Sequence, residues 1–314
     1  NAIGWSLESR LPSPDRSLNV LMVQANIGNF EKFAAERGGE FRLPIITKYF
    51  ELTNLALASQ SDVDLIFWPE TAFPSNLHSS QEFAYYPSML RQFVASKNTP
   101  LLTGGYLDEP DGSYYNSLYL LDSTGRVTGR YDKQRLLAFG EYFPGAQYFP
   151  FLKELIPAIS HFGRGQGLPL IEFPTSTTNV KLGPQICYEG LFDDFARESV
   201  KGGAQILMNV TNDSWFGHYF ESRQHLYMTL ARGIEFRRPV VRVTNTGISA
   251  AMDASGKILI TGPELQEWHG KVSVPFHDQP TLTVYGASGF WITMFAPILF
   301  FALALAWQRR RGYS

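Results

Sequence analysis

The chain has 314 residues, with 27 basic and 29 acidic side chains and 44% hydrophobic residues. This length suffices for one large α/β core, and the near balance of charge without a basic stripe argues against a nucleic-acid partner. The single cysteine, Cys187, excludes an internal disulfide and any zinc site built from several cysteines.

Residues 1–17, with two prolines and mixed charges, are predicted to be a linker, and the start at Asn1 indicates a processed or excised piece of a longer protein. We then predict a buried strand at 18–24, an amphipathic helix at 41–58 and a second buried strand at 64–68. The apolar stripe of that helix comprises Leu43, Ile46, Phe50, Leu52, Leu55 and Leu57.

The rest of the chain continues the alternation of strands and helices. The predicted elements are a helix at 81–96, a strand at 100–106, hairpin arms at 114–121 and 126–132, a strand at 179–183, a helix at 191–201, a strand at 205–210, a helix at 221–236 and strands at 240–244, 248–253 and 258–261. This order predicts a layered α/β domain over residues 18–288 with a mixed sheet.

Residues 289–308 form an uncharged apolar segment that predicts a transmembrane helix. At 1.5 Å per residue, its residues 289–307 extend about 28 Å, which matches the hydrocarbon core of a bilayer. Arg309, Arg310 and Arg311 follow it, so the positive-inside rule puts the tail 309–314 in the cytoplasm and the folded domain across the membrane. A buried core helix, the alternative, does not need this uncharged run followed by arginines.

Three chemically capable residues are predicted to follow strands: Glu70, Lys133 and Cys187. In open α/β sheets, functional sites collect beyond the carboxyl ends of strands. A thiol that attacks a carbonyl needs a base and a positive group, so Glu70 is a candidate base, and Lys133 and the Tyr188 N–H are candidate oxyanion donors. Each also has a structural alternative: a buried cysteine, a capping glutamate and an exposed lysine.

Several motifs around these residues resemble the nitrilase (carbon–nitrogen hydrolase) superfamily and, within it, the bacterial apolipoprotein N-acyltransferase family. They are WPETAFP at 68–74, YDKQRLLAFGEY at 131–142, ICYE at 186–189, NDSWFG at 212–217, ARGIEFRRP at 231–239 and RVTNTGIS at 242–249. The resemblance covers residues 18–307. It implies an αββα sandwich with mixed sheets, followed by one C-terminal transmembrane helix.

The resemblance also implies the roles of individual residues. Glu70, Lys133 and Cys187 match the catalytic triad, and Glu141 matches a glutamate that supports the lysine. Tyr188, Glu189 and Trp215 match residues that line or shape the pocket. Ala138 replaces a proline found in many members, and the family carries several membrane helices ahead of its catalytic domain, which this chain does not show before residue 18.

The implied activity is transfer of a fatty acyl chain, through a Cys187 thioester, from a phospholipid to a protein. The donor would be similar to phosphatidylethanolamine, and the acceptor would be the diacylglyceryl-modified N-terminal cysteine of an apolipoprotein. This chemistry needs no metal or organic cofactor. It implies a bacterial inner membrane protein, in contact with the bilayer, with its catalytic domain on the periplasmic side. The alternatives are a membrane-anchored nitrilase-type amidase acting on a small amide and a binding module with a relic site.

The segment 139–162 is too apolar for a solvent-exposed loop. Its residues Phe143, Phe149 and Phe151 are predicted to contact the lipid substrate, with the loop reaching toward the bilayer and controlling entry of the acyl chain. Simple packing of a long loop onto the domain is the alternative.

Overall fold

The computed structural model describes residues 12–37, 41–77, 84–109, 113–145, 148, 162–216 and 220–311. The strands in these ranges are β1 Arg16–Gln24, β2 Leu65–Phe67, β3 Phe73–Asn76, β4 Leu101–Asp108, β5 Tyr114–Leu121, β6 Val127–Asp132, β7 Ile171–Pro174, β8 Asn179–Ile186, β9 Ile206–Thr211, β10 Val240–Thr244, β11 Ala250–Met252, β12 Ile258–Thr261 and β13 Trp268–Phe276. The α-helices are α1 Asn29–Arg37, α2 Arg42–Ser59, α3 Tyr85–Lys97, α4 Asp193–Lys201, α5 Glu221–Phe236, α6 Val284–Ser288 and α7 Phe290–Arg311.

The strands form two mixed sheets. The first has the order β13-β1-β2-β4-β5-β6, with β3 beside β4, and the second has the order β12-β11-β10-β9-β8-β7. Strands β1, β2 and β4 run parallel, as do β8, β9 and β10, while hairpins add antiparallel strands at the edges. The carboxyl ends of β2, β6, β8 and β9 therefore point to one edge of the molecule.

Three apolar layers hold the two sheets and their helices together. Leu18, Val20 and Met22 of β1 face the second sheet, where they pack with residues of β8, β9 and β10. The alternate residues Leu21 and Val23 face away from it, toward α2 and α3. On the far side, α4 and α5 cover the second sheet. The predicted αββα sandwich with mixed sheets is thus confirmed.

Long-range pairing accounts for the largest difference from the predicted elements. The predicted strands stop at residue 261, whereas β13 pairs antiparallel with β1 along its whole length, from Arg16 with Phe276 to Gln24 with Trp268. This pairing also starts β1 at Arg16, inside the predicted linker. The predicted strand at 179–183 continues to Ile186, so β8 ends directly at the cysteine.

The predicted apolar stripe of α2 is wrong at two positions. Leu43 and Leu55 are exposed, whereas Ile45, Tyr49 and Ala56 are buried against the first sheet. The buried face of α2 is therefore rotated relative to the leucine stripe, because a tyrosine and an alanine take positions that the leucines were expected to fill.

Helix α7 follows α6 at the end of the domain and extends away from it. Its segment Phe290–Gln308 has a mean hydropathy of 2.0, and none of it is buried. Within the ranges given above, it is the one helix long and apolar enough to cross a membrane. Pro297 lies inside the helix, which membrane helices tolerate.

Candidate active site

Glu70 lies just beyond β2, with its side chain held at both oxygens. Oε1 accepts a hydrogen bond from Nδ2 of Asn116 at 2.7 Å, and Oε2 accepts one from the backbone N–H of Asn212 at 2.9 Å. Asn116 lies on the first sheet, and Asn212 follows β9 of the second sheet. Glu70 is only 6% exposed, so its position is fixed by contacts from both sheets.

Lys133 directly follows β6 and lies between two carboxylates. Its Nζ is 2.7 Å from Oε1 of Glu141 and 3.6 Å from Oε1 of Glu70, and its side chain is 1% exposed. Its backbone N–H donates to the carbonyl of Asn116 at 2.9 Å. Asn116 therefore positions both Glu70 and Lys133. Glu141 is held in turn by the N–H of Leu137 at 2.9 Å.

Cys187 begins a short 3₁₀ turn, Cys187–Leu191, at the end of β8. Its φ is +56°, a left-handed conformation that residues other than glycine rarely adopt. The Cys187 carbonyl accepts a hydrogen bond from Nδ2 of Asn209 at 3.1 Å. The next N–H, that of Tyr188, lies in the first turn, where helical N–H groups have no partner within the helix.

Glu189 ties the cysteine turn to the lysine segment. Its Oε2 accepts from the N–H of Ile186 at 2.8 Å, and its Oε1 accepts from Tyr131, Gln134 and Arg135 at 2.7–2.9 Å. Because these donors flank Lys133 on one side and Cys187 on the other, the buried carboxylate of Glu189 holds the two residues in register.

Charge and burial together set the protonation of this cluster. Burial raises the pKa of the Cys187 thiol to about 12, and Glu70 adds to the rise while Lys133 opposes it. Burial also raises the pKa of Glu70, against the charge of Lys133. Burial alone lowers the pKa of Lys133, but the negative groups around it outweigh this effect and raise it.

A neutral thiol therefore rests beside a lysine cation and a carboxylate of increased proton affinity. Such a carboxylate suits removal of the thiol proton during attack on a carbonyl. The lysine suits stabilisation of the oxyanion that forms.

Of the remaining predicted site residues, the structure describes Tyr188, Phe143 and Trp215. Tyr188 is half-buried, with its ring centre 5.5 Å from Nζ of Lys133, and burial raises the pKa of its hydroxyl to about 12. Phe143 packs edge-to-face on Phe139, with ring centres 5.5 Å apart. Trp215 is 74% exposed. Phe149 and Phe151 lie outside the described residues.

Two contacts of Glu70 were not foreseen from the sequence. Asn116 is one, and the other involves Lys32 in α1, whose buried Nζ lies 3.1 Å from the Glu70 carbonyl and 3.1 Å from Oγ1 of Thr71. An asparagine inside a strand that is apolar and aromatic apart from the adjacent Ser117 is a usable signal in the sequence. Lys32 gives none, because lysines are common on helix surfaces.

No metal site accompanies the cluster in the described ranges, where no group of three or more His, Cys, Asp and Glu side chains is placed to hold an ion. The buried polar residues instead form hydrogen bonds with one another, as Asp213 and His225 do at 2.9 Å.

Comparison with protein families and curated proteins identifies the relatives of this chain. A family profile described as carbon-nitrogen hydrolase matches residues 16–278. The "Apolipoprotein N-acyltransferase" of Bdellovibrio bacteriovorus is 43% identical over 88% of this chain and 52% of its own length. That of Geobacter metallireducens is 34% identical over 82% of this chain and 48% of its own length. The chain thus spans about half the length of the curated relatives it matches, and their names do not favour the amidase or binding-module alternatives.

Comparison with solved structures identifies the same fold. A carbon-nitrogen hydrolase from Helicobacter pylori G27 superposes with a TM-score of 0.62 at 17% identity, covering 82% of this chain and 89% of the other. A mutant amidase from Nesterenkonia sp. AN1, described with an acetamide moiety added covalently at its active site cysteine, gives a TM-score of 0.57 at 18% identity, covering 84% of this chain and 93% of the other.

Proposed function

The chain belongs to the carbon–nitrogen hydrolase family, and on that premise we propose that it transfers a fatty acyl chain from a phospholipid to an apolipoprotein. The observation that carries the proposal is the cluster of the buried Glu70 and Lys133 with the partly exposed Cys187 in a chain that carries an exposed apolar helix. A nucleophilic thiol, a base and a cation suit acyl transfer, and the helix suits a substrate that resides in a bilayer.

In the first half-reaction Sγ of Cys187 attacks the ester carbonyl of the phospholipid while Glu70 accepts the thiol proton. Lys133 and the N–H of Tyr188 stabilise the tetrahedral oxyanion; loss of one such donor typically costs about 2.7–4 kcal/mol. The C–O bond then breaks, and Glu70 returns the proton to the leaving alkoxide of the lysophospholipid. The acyl chain remains on Cys187 as a thioester.

In the second half-reaction the α-amino group of the acceptor attacks the thioester. Glu70 accepts a proton from this amine, the C–S bond breaks, and the proton returns to the Cys187 thiolate. The acceptor gains an amide bond and the enzyme is restored. The acceptor is the diacylglyceryl-modified N-terminal cysteine of the apolipoprotein, and the donor is similar to phosphatidylethanolamine.

Exposed aromatic side chains close in sequence to the site residues support a lipid substrate. Phe139, 65% exposed, and Tyr148 are in the chain segment around Glu141, and the exposed Trp215 follows Asn212 by three residues. Exposed aromatic groups favour contact with lipid over water. We assign contact with the acyl chain to Trp215 and Phe143, and to Phe149 and Phe151 of the same apolar segment.

The membrane arrangement follows from the same proposal. With α7 in the bacterial inner membrane, the arginines at its end stay in the cytoplasm and the catalytic domain lies on the periplasmic side. The domain over 18–288, the linker before it and the tail at 309–314 complete this organisation.

Two glutamates support the catalytic residues in this proposal. Glu141 supports Lys133, and Glu189 shapes the site by holding the two neighbouring segments together.

Mass spectrometry of the intact chain in phosphatidylethanolamine bilayers tests the thioester. We expect one acyl group on Cys187 that hydroxylamine removes, and none in Cys187→Ala. A peptide carrying the diacylglyceryl-cysteine N-terminus should discharge this group into an amide, whereas the same peptide with a blocked amine should not. Acyl transfer without any Cys187 adduct would contradict the mechanism.

A further inference from the structure

Two opposite charges are fully buried behind the Cys187 turn. Nη2 of Arg242, in β10, lies 2.7 Å from Oδ2 of Asp213, and neither side chain is exposed. Removing both charges from water carries a desolvation cost that an apolar pair of similar volume avoids. The contacts of the pair indicate what it contributes instead.

One branch of these contacts leads to Cys187. Nη1 of Arg242 donates to Oδ1 of Asn209 at 2.7 Å, and Nδ2 of Asn209 donates to the carbonyls of Cys187 at 3.1 Å and Gln185 at 3.3 Å. Gln185, Asn209 and Arg242 are direct neighbours across three adjacent strands. The chain of hydrogen bonds therefore runs straight across the sheet to the cysteine turn.

Arg242 also decides which way the Asn209 amide points. A guanidinium can only donate hydrogen bonds, so the amide oxygen faces Arg242 and the NH₂ group faces the Cys187 carbonyl. Cys187 needs such an anchor, because its left-handed backbone, with φ of +56°, is unfavourable for a residue with a Cβ. Without Arg242, the amide oxygen of Asn209 loses this donor, and the amide is held only through the two carbonyls that its NH₂ group contacts.

The other branch leads to Glu70. Oδ2 of Asp213 accepts a hydrogen bond from Arg242. Oδ1 of Asp213 lies 2.9 Å from Nδ1 of His225. Because an ionised carboxylate only accepts hydrogen bonds, Nδ1 carries the proton of this contact. Asp213 lies next to Asn212, whose N–H donates to Oε2 of Glu70 at 2.9 Å. The ion pair therefore fixes the turn that holds Glu70.

We propose that Arg242, through Asn209 and Asp213, is a positioning residue that sets the placement of Cys187 relative to Glu70. One guanidinium connects the anchor of the nucleophile with the anchor of the base, although it touches neither reacting group. The inference rests on the roles proposed above for Cys187 and Glu70. A displacement of about 1 Å between reacting groups can reduce a rate about a hundredfold, so a small loss of alignment is measurable.

Two variants interrupt the network without leaving one charge buried alone. Asn209→Leu removes the amide and keeps the ion pair, while Arg242→Met combined with Asp213→Asn removes both charges together. The matched control is Arg238→Met, because Arg238 is also a buried arginine, but its guanidinium donates to backbone carbonyls such as those of Ala204 and Phe236. Within the part of the chain that the structure describes, none of its hydrogen bonds reaches Cys187 or Glu70.

The measurement is the rate at which iodoacetamide alkylates Cys187 in the full chain, followed by mass spectrometry over a range of pH, with the thermal midpoint recorded for each variant. We expect both network variants to react at least about tenfold more slowly at neutral pH. Because the thiol of Cys187 has a raised pKa and depends on Glu70 to accept its proton, the fall in rate at low pH that reports Glu70 should weaken in both variants. Arg238→Met should keep the wild-type pH profile of alkylation, even if its thermal midpoint falls as far as those of the network variants.

The proposal is overturned if the network variants keep the wild-type rate and profile, or if Arg238→Met changes both to the same degree. Alkylation needs neither phospholipid nor acceptor. An altered profile in the network variants without any acyl transfer by the wild type would therefore reject the proposed function and leave this inference standing. If the wild type transfers an acyl chain but the network variants keep its alkylation profile, the proposed function stands and this inference is rejected.

Discussion

The side chain of Glu70 is held in place, and its pKa is raised. Hydrogen bonds from Asn116 and Asn212 fix its two oxygens, and burial raises its pKa despite the nearby charge of Lys133. A restrained base close to a thiol removes the thiol proton without prior reorganisation. The stronger base also has a cost, because it is protonated at a higher pH than an ordinary glutamate.

We therefore expect acylation of Cys187 to fall with decreasing pH at a midpoint above about 4.3, the usual pKa of a free glutamate. Below the raised pKa the protonated carboxyl of Glu70 no longer accepts the thiol proton, so the rate falls as pH falls. Glu70→Gln should remove this acid limb and slow the reaction at neutral pH by about 10²–10⁴-fold. Single-turnover acylation measured at several pH values tests both effects.

The exposed residue Glu172 in β7 provides the control. Glu172→Gln makes the same chemical change on the surface and should retain the wild-type rate and acid limb. An acid limb that persists in Glu70→Gln would assign the titration to another group.

At the level of elements, the cysteine turn and the lysine segment are joined by one carboxylate. Glu189 accepts four hydrogen bonds from groups on both segments, and burial raises its pKa to about 7. Above that pH the ionised form has the acceptor capacity that four donors require. The same-sized amide of glutamine has one acceptor oxygen and brings an NH₂ donor among the other donors.

Glu189→Gln should therefore reduce the free energy of unfolding by about 1–3 kcal/mol, the usual cost of buried polar groups left without partners. Urea denaturation at about pH 8, one unit above the pKa of Glu189, measures this change in the free energy of unfolding. Glu198→Gln, at an exposed position of α4, is the control and should change stability by less than about 0.5 kcal/mol. Equal stability of Glu189→Gln and wild type would mean that Glu189 is protonated in the folded chain.

A close backbone contact positions Glu70 from the neighbouring strand. A Cβ on Gly104 of β4 would lie 2.7 Å from the Cα of Glu70 and 2.6 Å from the N of Thr71. Those backbone atoms have little room to move, so Gly104→Ala should displace Glu70 and reduce acylation of Cys187 about a hundredfold.

Gly105→Ala places the same methyl one residue along the strand, where its nearest neighbour is the carbonyl oxygen of Phe73 at 3.1 Å. It should keep most of the acylation rate in the same single-turnover assay. Similar losses in the two variants would indicate general disruption of β4 rather than displacement of Glu70.

The elements also show how far the sequence predicts the site. Local patterns are enough to predict the hairpin of β5 and β6, the turn at Cys187 and helix α5. The pairing of β13 with β1 joins residues about 250 positions apart, and no local pattern encodes it. The contact of Asn116 with Glu70 depends on β5 lying next but one to β2, which only the assembled sheet provides. The motifs therefore predict the chemical groups, but the residues that position them emerge from strand order.

At the scale of the whole molecule, a folded domain carries an apolar helix that contributes nothing to its core. Every apolar side chain described in the 290–308 segment of α7 is exposed. Water is an unfavourable environment for a surface of this kind. The helix is therefore suited to hold the domain at a bilayer.

We expect two lysines in the middle of this helix to separate membrane attachment from the chemistry of the domain. Ile298→Lys combined with Ala302→Lys should disfavour insertion by about 5–7 kcal/mol, since each central lysine costs about 2.5–3.5 kcal/mol. Neither position touches the domain, so the alkylation rate of Cys187 should stay unchanged. The variant should no longer sediment with vesicles after carbonate washing, and its acylation by bilayer phospholipid should fall by at least about tenfold, because the domain is then diluted away from its donor.

Leucines at the same two positions are the matched control and should preserve attachment and acylation. If the lysine variant stays in the membrane fraction and keeps its lipid turnover, α7 is not the anchor that brings Cys187 to its acyl donor.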